Sequence, residues 1–123
     1  MIQYTRNVFT CENMLKLIDV YFRSEERNVQ LSYCNKEGAT SIKAKETVVY
    51  DGVTKTGERE LGKEEIENII CNIFAGAGLE VIDIVNYGAV GTRVKEGNFT
   101  YVVKPGEENQ FVIITKEMMR VKY

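Results

Sequence analysis

The chain has no histidine, no tryptophan, one proline and three cysteines among its 123 residues. Without histidine there is no Ser-His or Cys-His dyad and no imidazole base or metal ligand, so any catalysis would depend on carboxylates, lysine or tyrosine. The cysteines are Cys11, Cys34 and Cys71, an odd and widely spaced set without a C-x-x-C pair, which predicts neither a disulfide framework nor a zinc site. We therefore expect a protein that is not an enzyme and holds no cofactor or metal.

The chain also lacks a strong charge of either sign and a long apolar run. Its 16 basic and 18 acidic residues give a net charge of −2, whereas a general nucleic-acid binder would show a basic stripe. No segment is long enough to span a bilayer, and the first ten residues contain no apolar run of the signal-peptide kind. We expect a cytoplasmic protein without a nucleic-acid or membrane partner.

The length predicts one domain over residues 1–123, and two segments carry apolar residues at helical spacing. The first predicted helix covers about 11–25 and begins after Thr10, a residue type that caps helix N-termini. The second helix has the clearest apolar stripe, and Gly76 and Gly78 predict its end. The two stripes consist of Cys11, Met14, Leu15, Ile18 and Phe22, and of Ile66, Ile69, Ile70, Ile73, Phe74 and Ala77.

The remaining segments predict strands, in the order β-α-β-β-α-β-β-β. This order indicates an α+β fold, mainly an antiparallel β-sheet with two helices. Its first part matches the split βαβ layout, and a generic antiparallel sheet with both helices on one face is equally compatible. Asp51-Gly52 predicts a two-residue hairpin turn. Residues 79–87 carry apolar side chains on both faces, with Asp83 interrupting them, which predicts a central strand. Residues 105–110 predict a hairpin loop.

The segment from Asn86 to Tyr101 contains three glycines, Gly88, Gly91 and Gly97, inside a strand-like pattern. Such glycines mark a bulge, a bend or a close approach by another group. One interpretation is that backbone N–H groups of residues 87–93 cradle an anion, with Thr92 and Arg93 completing the site. The other is a glycine-bulged hairpin with Arg93 in solvent.

Aromatic and amide side chains surround these glycines. Tyr87, Phe99 and Tyr101 can form a platform on which a nucleotide base stacks, or they are ordinary cross-strand neighbours. Asn86 and Asn98 can read a polar base edge, or are turn residues. Arg120 can supply a second phosphate contact. The predicted ligand-binding residues are therefore Asn86, Tyr87, Thr92, Arg93, Asn98, Phe99, Tyr101 and Arg120.

The size, the missing histidine and the glycine-interrupted sheet at residues 86–104 together resemble the small nucleotide sponges encoded by phages. The similarity is one of layout, and it is greatest to the first Thoeris anti-defence family. The resemblance implies an oligomer that sequesters a cyclic ADP-ribose isomer, the signal of a TIR-domain immune system, without cleaving it. It also implies the host cytoplasm as the location. No site residue is carried over from that family.

Two alternatives remain open at this point. A protein–protein inhibitor or adaptor without a small ligand would use an exposed sheet edge to bind its partner. An enzyme would need Asp83, if it is buried, or a pair of glutamates as acid and base.

The assembly is predicted from the apolar strands. Residues 79–85 and 111–114 are apolar on both faces, and two helices do not easily cover both sides of one large sheet. We therefore expect a homodimer or a higher even-numbered oligomer. The alternative is a monomer in which the N-terminal strand and the C-terminal segment close the second face.

Overall fold

A computed structural model of the protein describes residues 3–36 and 39–118. Within them, the chain forms two helices and eight strands, and the α+β class is confirmed. The succession of elements is consistent with the predicted order, with a third strand between the helices and a fourth strand after the second helix. The elements are β1 (Tyr4–Phe9), α1 (Cys11–Ser24), β2 (Asn28–Lys36), β3 (Ala39–Tyr50), β4 (Val53–Glu60), α2 (Lys63–Gly76), β5 (Leu79–Asn86), β6 (Arg93–Glu96), β7 (Phe99–Val102) and β8 (Phe111–Glu117).

Both helices form where the apolar spacing predicts them. The Thr10 hydroxyl accepts a hydrogen bond from the Asn13 N–H at 3.2 Å, which caps α1, and Met14, Ile18 and Phe22 are fully buried along its inner face. α2 buries Ile69 and Ile70 and ends at Gly76, so Ala77 lies just beyond the helix. Of these two helices, each 14 residues long, neither is long and apolar enough to cross a membrane.

The strands form three separate sheets rather than one. The first sheet has the order β1-β8-β5 and the second sheet β2-β3-β4, while β6 and β7 form a short hairpin; each pairing is antiparallel. The split βαβ layout is therefore wrong, because β1 pairs with β8 and lies in a different sheet from β2. The single sheet with both helices on one face is wrong for the same reason. Asp51 and Gly52 both have positive φ, 49° and 75°, as the predicted hairpin turn requires.

The main core lies where the helices meet the inner faces of the first and second sheets. Its buried residues come from both helices and from both sheets, so it holds the two sheets together. They are Cys11, Met14, Ile18, Phe22, Val29, Ile42, Ala44, Leu61, Ile69, Ile70, Phe111 and Ile113.

The short hairpin covers part of the other face of the first sheet. Tyr87, Val103 and Val112 form a second, smaller buried cluster there, and Val94 and Tyr101 of the hairpin pack against it. The prediction of an oligomer assumed that no part of the same chain covers this apolar face. Because the hairpin covers part of it, the oligomer loses that support and stays a prediction.

β5 is an edge strand of the first sheet, and the central strand is β8. The register of β5 shifts between Val81 and Asp83, which leaves Ile82 exposed. Asp83 is exposed as well, and its Oδ1 accepts a hydrogen bond from the Ile84 N–H at 2.9 Å. The prediction of a central strand at residues 79–87 is therefore wrong. Residues 105–110 are not a hairpin loop, because β7 and β8 belong to different sheets.

Candidate functional site

The three glycines of the segment 86–101 all have positive φ, and two of them lie in turns. Gly88, Gly91 and Gly97 have φ of 67°, 86° and 64°, the left-handed region that glycine adopts without strain. Gly91 lies in a β-turn closed by the Thr92 N–H and the Ala89 carbonyl at 3.2 Å. Gly97 begins the two-residue turn of the short hairpin. The glycines therefore fold the chain back onto the first sheet.

The backbone of residues 87–93 does not present a row of free N–H groups to an anion. Tyr87 N–H donates to the Gln110 carbonyl at 2.8 Å, and Gly91 N–H donates to the Val103 carbonyl at 2.9 Å. Gly88 N–H donates to Oδ1 of Asn86 at 2.9 Å, and Thr92 N–H closes the turn already described. With these four donors engaged inside the chain, the geometry favours the bulged-hairpin interpretation, and the anion cradle stays a prediction.

The three aromatic residues differ in their exposure. Tyr87 is fully buried, and its ring stacks on Tyr101 with the centroids 5.4 Å apart. Tyr101 is half-buried, and its hydroxyl donates to the carboxylate of Glu107 at 2.9 Å. Phe99 has 78% of its surface exposed. Among the three, only Phe99 offers an open ring face to a ligand.

The hydroxyl of Tyr87 belongs to a closed group of three polar side chains, here called the polar triangle. Arg6 donates to the Tyr87 hydroxyl and to the Glu96 carboxylate, and the Tyr87 hydroxyl donates to Glu96. Hydrogen bonding by Arg6 lowers the pKa of Glu96. Burial, together with the bond to Glu96, raises the pKa of Tyr87 to about 12. The polar triangle joins three parts of the chain: β1, β6 and the loop that follows β5.

The other predicted residues are spread along the surface of this region. Thr92, Arg93 and Asn98 are exposed, with Arg93 opposite Val102 in the short hairpin and Asn98 in its turn. Arg120 lies outside the described residues. The structure therefore brings Asn86, Tyr87 and Tyr101 into one neighbourhood and leaves the exposed residues without a shared pocket.

Asn86 also lines a cleft of about 520 Å³ between the first and second sheets. The start of β3, the end of β4, the first turns of α2, and β5 and β6 form its walls. This volume lies within the range of small-ligand sites. The lining residues are Thr40, Ser41, Ile42, Glu60, Leu61, Lys63, Ile66, Glu67, Asp83, Ile84, Val85, Asn86, Lys95 and Phe111.

The amide of Asn86 has a fixed orientation and one unpaired donor. Its Oδ1 accepts the Gly88 N–H, which assigns the other position to Nδ2. Nδ2 is buried and has no hydrogen-bond partner among the described residues. A buried donor without an acceptor costs about 1–3 kcal/mol. An acceptor on a ligand that reaches Nδ2 after a small side-chain movement would recover that cost.

The polar lining of the cleft carries both charges. Lys63 and Lys95 supply two ammonium groups, and Glu60, Glu67 and Asp83 supply three carboxylates. The Nζ atom of Lys63 lies 4.0 Å from Oε1 of Glu67, and the two side chains form an exposed ion pair. Ammonium groups suit phosphate oxygens, and carboxylates accept hydrogen bonds from ribose hydroxyls. The cleft therefore offers both ammonium donors and carboxylate acceptors, with three acidic and two basic side chains in its lining.

Among the residues that line this cleft, the sequence analysis named Asn86 as a ligand contact and Asp83 as the acid or base that an enzyme would need. The sequence analysis did not select Lys63 or Lys95, because nothing in the sequence shows that α2 begins next to β5. Among the described residues, no group of three or more Cys, Asp or Glu side chains could hold a metal ion.

Comparisons with protein-family models, curated proteins and solved structures gave no match to this chain.

Proposed function

We propose that the protein is a non-catalytic binder of a small anionic nucleotide, of the cyclic ADP-ribose class, and that the ligand binds in the cleft beside Asn86. The observation that carries this proposal is the buried, unpaired Nδ2 of Asn86 at a cleft of small-ligand size. Base carbonyl and ring-nitrogen acceptors are suitable partners for such a donor. The apolar part of the lining, with Ile42, Leu61 and Phe111, suits the flat base.

In this proposal the biological role is sequestration, as in a phage anti-defence protein. A sponge must compete with the receptor of the signal, which requires nanomolar affinity, or roughly −12 kcal/mol. Support comes from the missing histidine, from the exposed position of Asp83 and from the resemblance to nucleotide sponges. Nucleotides incubated with the protein should be recovered chemically unchanged by mass spectrometry.

Calorimetry with cyclic ADP-ribose isomers and with cyclic di- and trinucleotides tests the proposal directly. Asn86→Ser keeps an oxygen that can accept the Gly88 N–H but removes the orphan amide donor. We expect at least about a tenfold loss of affinity, because an unmade hydrogen bond of this kind is worth about 1.4 kcal/mol or more. The stability of the variant should be unchanged or higher. Absence of heat with every nucleotide at micromolar protein overturns the proposal.

β6 provides a matched pair of cations that locates the ligand. Lys95 and Arg93 are both exposed residues of this strand, two positions apart, but only Lys95 lines the cleft. Lys95→Gln should weaken nucleotide binding, and Arg93→Gln should change it little. The opposite result would place the ligand on the hairpin surface near Phe99, as the sequence analysis expected.

A specific observation also favours the second candidate, a protein–protein adaptor. β4 is an edge strand whose eight residues are all exposed, and at the end of the neighbouring strand β3 Val49 and Tyr50 are 67% and 76% exposed. An extended segment of a partner can pair with such an edge. If this surface is the functional one, the double variant Val49→Ser, Tyr50→Ser should abolish the anti-defence activity of the protein and leave nucleotide binding intact.

A further inference from the structure

The polar triangle and the cleft are connected through two pairs of neighbouring residues. Asn86 lines the cleft, and the next residue, Tyr87, belongs to the triangle. Lys95 lines the cleft, and the next residue, Glu96, also belongs to the triangle. Consecutive side chains of extended backbone point to opposite faces. A residue that is fixed on one face therefore constrains where its neighbour stands on the other.

The triangle is well placed to act as such a fixed point. Tyr87 is fully buried, and the side chain of Glu96 is only 14% exposed. Its hydrogen bonds involve a guanidinium and a carboxylate, and charge-assisted bonds in a partly buried setting are stronger than neutral ones. Arg6 lies on β1, at the far edge of the first sheet from β5, so the triangle spans the face of the sheet.

The short hairpin has few other attachments that would hold Lys95 in place. In the described part of the chain, β6 and β7 pair only with each other. The hairpin packs on the first sheet through the small cluster around Tyr87, Val103 and Val112. Two backbone hydrogen bonds join Val103 to Gly91 and Thr92. These residues flank the hairpin itself, because Gly91 and Thr92 precede β6 and Val103 follows β7. The bonds from Glu96 to Arg6 and Tyr87 are thus a major polar link between β6 and the sheet.

We propose that Tyr87 is a positioning residue: through its bonds to Arg6 and Glu96 it holds the short hairpin as one wall of the cleft and sets the positions of Lys95 and Asn86 there. The identity of the ligand rests on the proposed function, whereas the placement of Lys95 does not.

Tyr87→Phe is the test variant, because it removes the hydroxyl and keeps the ring that stacks on Tyr101. Tyr101→Phe is the matched control, since its hydroxyl bonds to Glu107 in the loop before β8 and not to the triangle. Glu96→Gln is a second variant that weakens the triangle from the β6 side. Each is compared with the unchanged chain.

The first measurement needs no ligand. Reductive ¹³C-methylation of the lysines gives one NMR signal for Lys95, assigned through Lys95→Arg. We expect this signal to shift in Tyr87→Phe and in Glu96→Gln, and to stay in place in Tyr101→Phe. Circular dichroism and the urea midpoint show that each variant is folded. A Lys95 signal that is unchanged in both triangle variants overturns the proposal.

The second measurement uses adenosine monophosphate as the probe and a double-mutant cycle. We expect Lys95→Gln to weaken binding about tenfold in the native background, and by less than about twofold when Tyr87→Phe is present. Equal losses in both backgrounds contradict positioning through Tyr87. If no nucleotide binds but the Lys95 signal shifts as expected, the nucleotide function fails and the positioning role stands.

Discussion

The two faces of the first sheet are covered in different ways, and adjacent residues of β8 show the contrast. Ile113 and Val112 are both fully buried and point to opposite faces. Among the described residues, Ile113 is one of 12 buried residues that form a core between both helices and both larger sheets. Val112 is one of three buried residues described under the short hairpin. One face is a large apolar core, and the other is a small one closed at its border by the polar triangle.

This difference separates the part of the molecule that maintains the fold from the part that can be adjusted. A large core loses only a fraction of its apolar contacts when one side chain is shortened. The small cluster depends on one tyrosine and on the charges that bind its hydroxyl. Regions of low local stability are where binding loops and movable walls occur. The cleft borders the hairpin, so any adjustment of the hairpin acts on the proposed binding site.

The largest effect that separates the two faces should come from shortening β8 side chains. Ile113→Ala should reduce the free energy of unfolding by about 2–5 kcal/mol, because it leaves a cavity in the main core. Val112→Ala should cost about 2 kcal/mol, from a smaller lost volume next to a hairpin that can close the gap. Urea denaturation measures both. A cost for Val112→Ala above that for Ile113→Ala would mean that the smaller face dominates stability.

Tyr87→Phe should have an intermediate effect on stability, about 1.5–3 kcal/mol, the usual worth of hydrogen bonds to charged groups. The cost is limited because Arg6 and Glu96 can still pair with each other. Tyr101→Phe provides the comparison, since its hydroxyl bonds to a carboxylate of a surface loop. Equal losses for the two variants would show that the polar triangle has no special part in closing this face.

The pH dependence of stability sharpens the same contrast. The pKa of Tyr87 is raised from 10.0 to about 12 in the folded protein, so its neutral hydroxyl is favoured by folding. Its contribution should be complete below pH 10 and should disappear as the pH rises towards 12. Glu96 has a lowered pKa, so its contribution is lost as the pH falls below the ordinary carboxylate range. Tyr87→Phe should flatten the alkaline change, measured as the free energy of unfolding against pH.

Local sequence patterns predicted the elements well because their causes are local. The stripe of α2, the cap at Thr10 and the turn at Asp51-Gly52 each depend on residues within a few positions. The pairing of the strands depends on contacts far apart in sequence. Because β1 pairs with β8, the sheet order could not be read from the pattern. The apolar residues of 79–87 predicted a central strand, and the register shift between Val81 and Asp83 left no signal in the sequence.

The candidate site shows the same limit. The glycines of 88–97 were predicted to bend the chain, and they do, but whether their neighbours' N–H groups remain free depends on Gln110 and Val103. The sequence indicated Asn86 because it is a polar residue near glycines. That its amide nitrogen is buried without a hydrogen-bond partner depends on the tertiary structure around it. Lys95 was missed because its importance comes from α2 and β3, which lie far from it in the sequence.

The smallest predicted effect on stability is expected from a comparison of Gly97, in the β6–β7 hairpin, with Gly57, in the β3–β4 hairpin. Gly97 has φ of 64° in the β6–β7 turn, and Gly57 lies in β4 without a positive φ. Neither position has an atom within 4 Å of an added Cβ, so space is not the difference. Gly97→Ala should cost about 1 kcal/mol, because the left-handed region is strained for alanine. Gly57→Ala should be neutral or stabilise by about 0.4–1 kcal/mol through the unfolded state.

Gly97 also follows Glu96, so strain in its turn should reach the polar triangle. We expect Gly97→Ala to lower the hydrogen-exchange protection of β6 and β7 more than that of β1 and β8, since the main core holds the latter strands. Gly57→Ala should leave all four strands unchanged. If Gly97→Ala lowers protection uniformly across both faces of the first sheet, the hairpin opens only together with the main core. The cleft wall would then be as rigid as the fold, and the small face would not be the adjustable one.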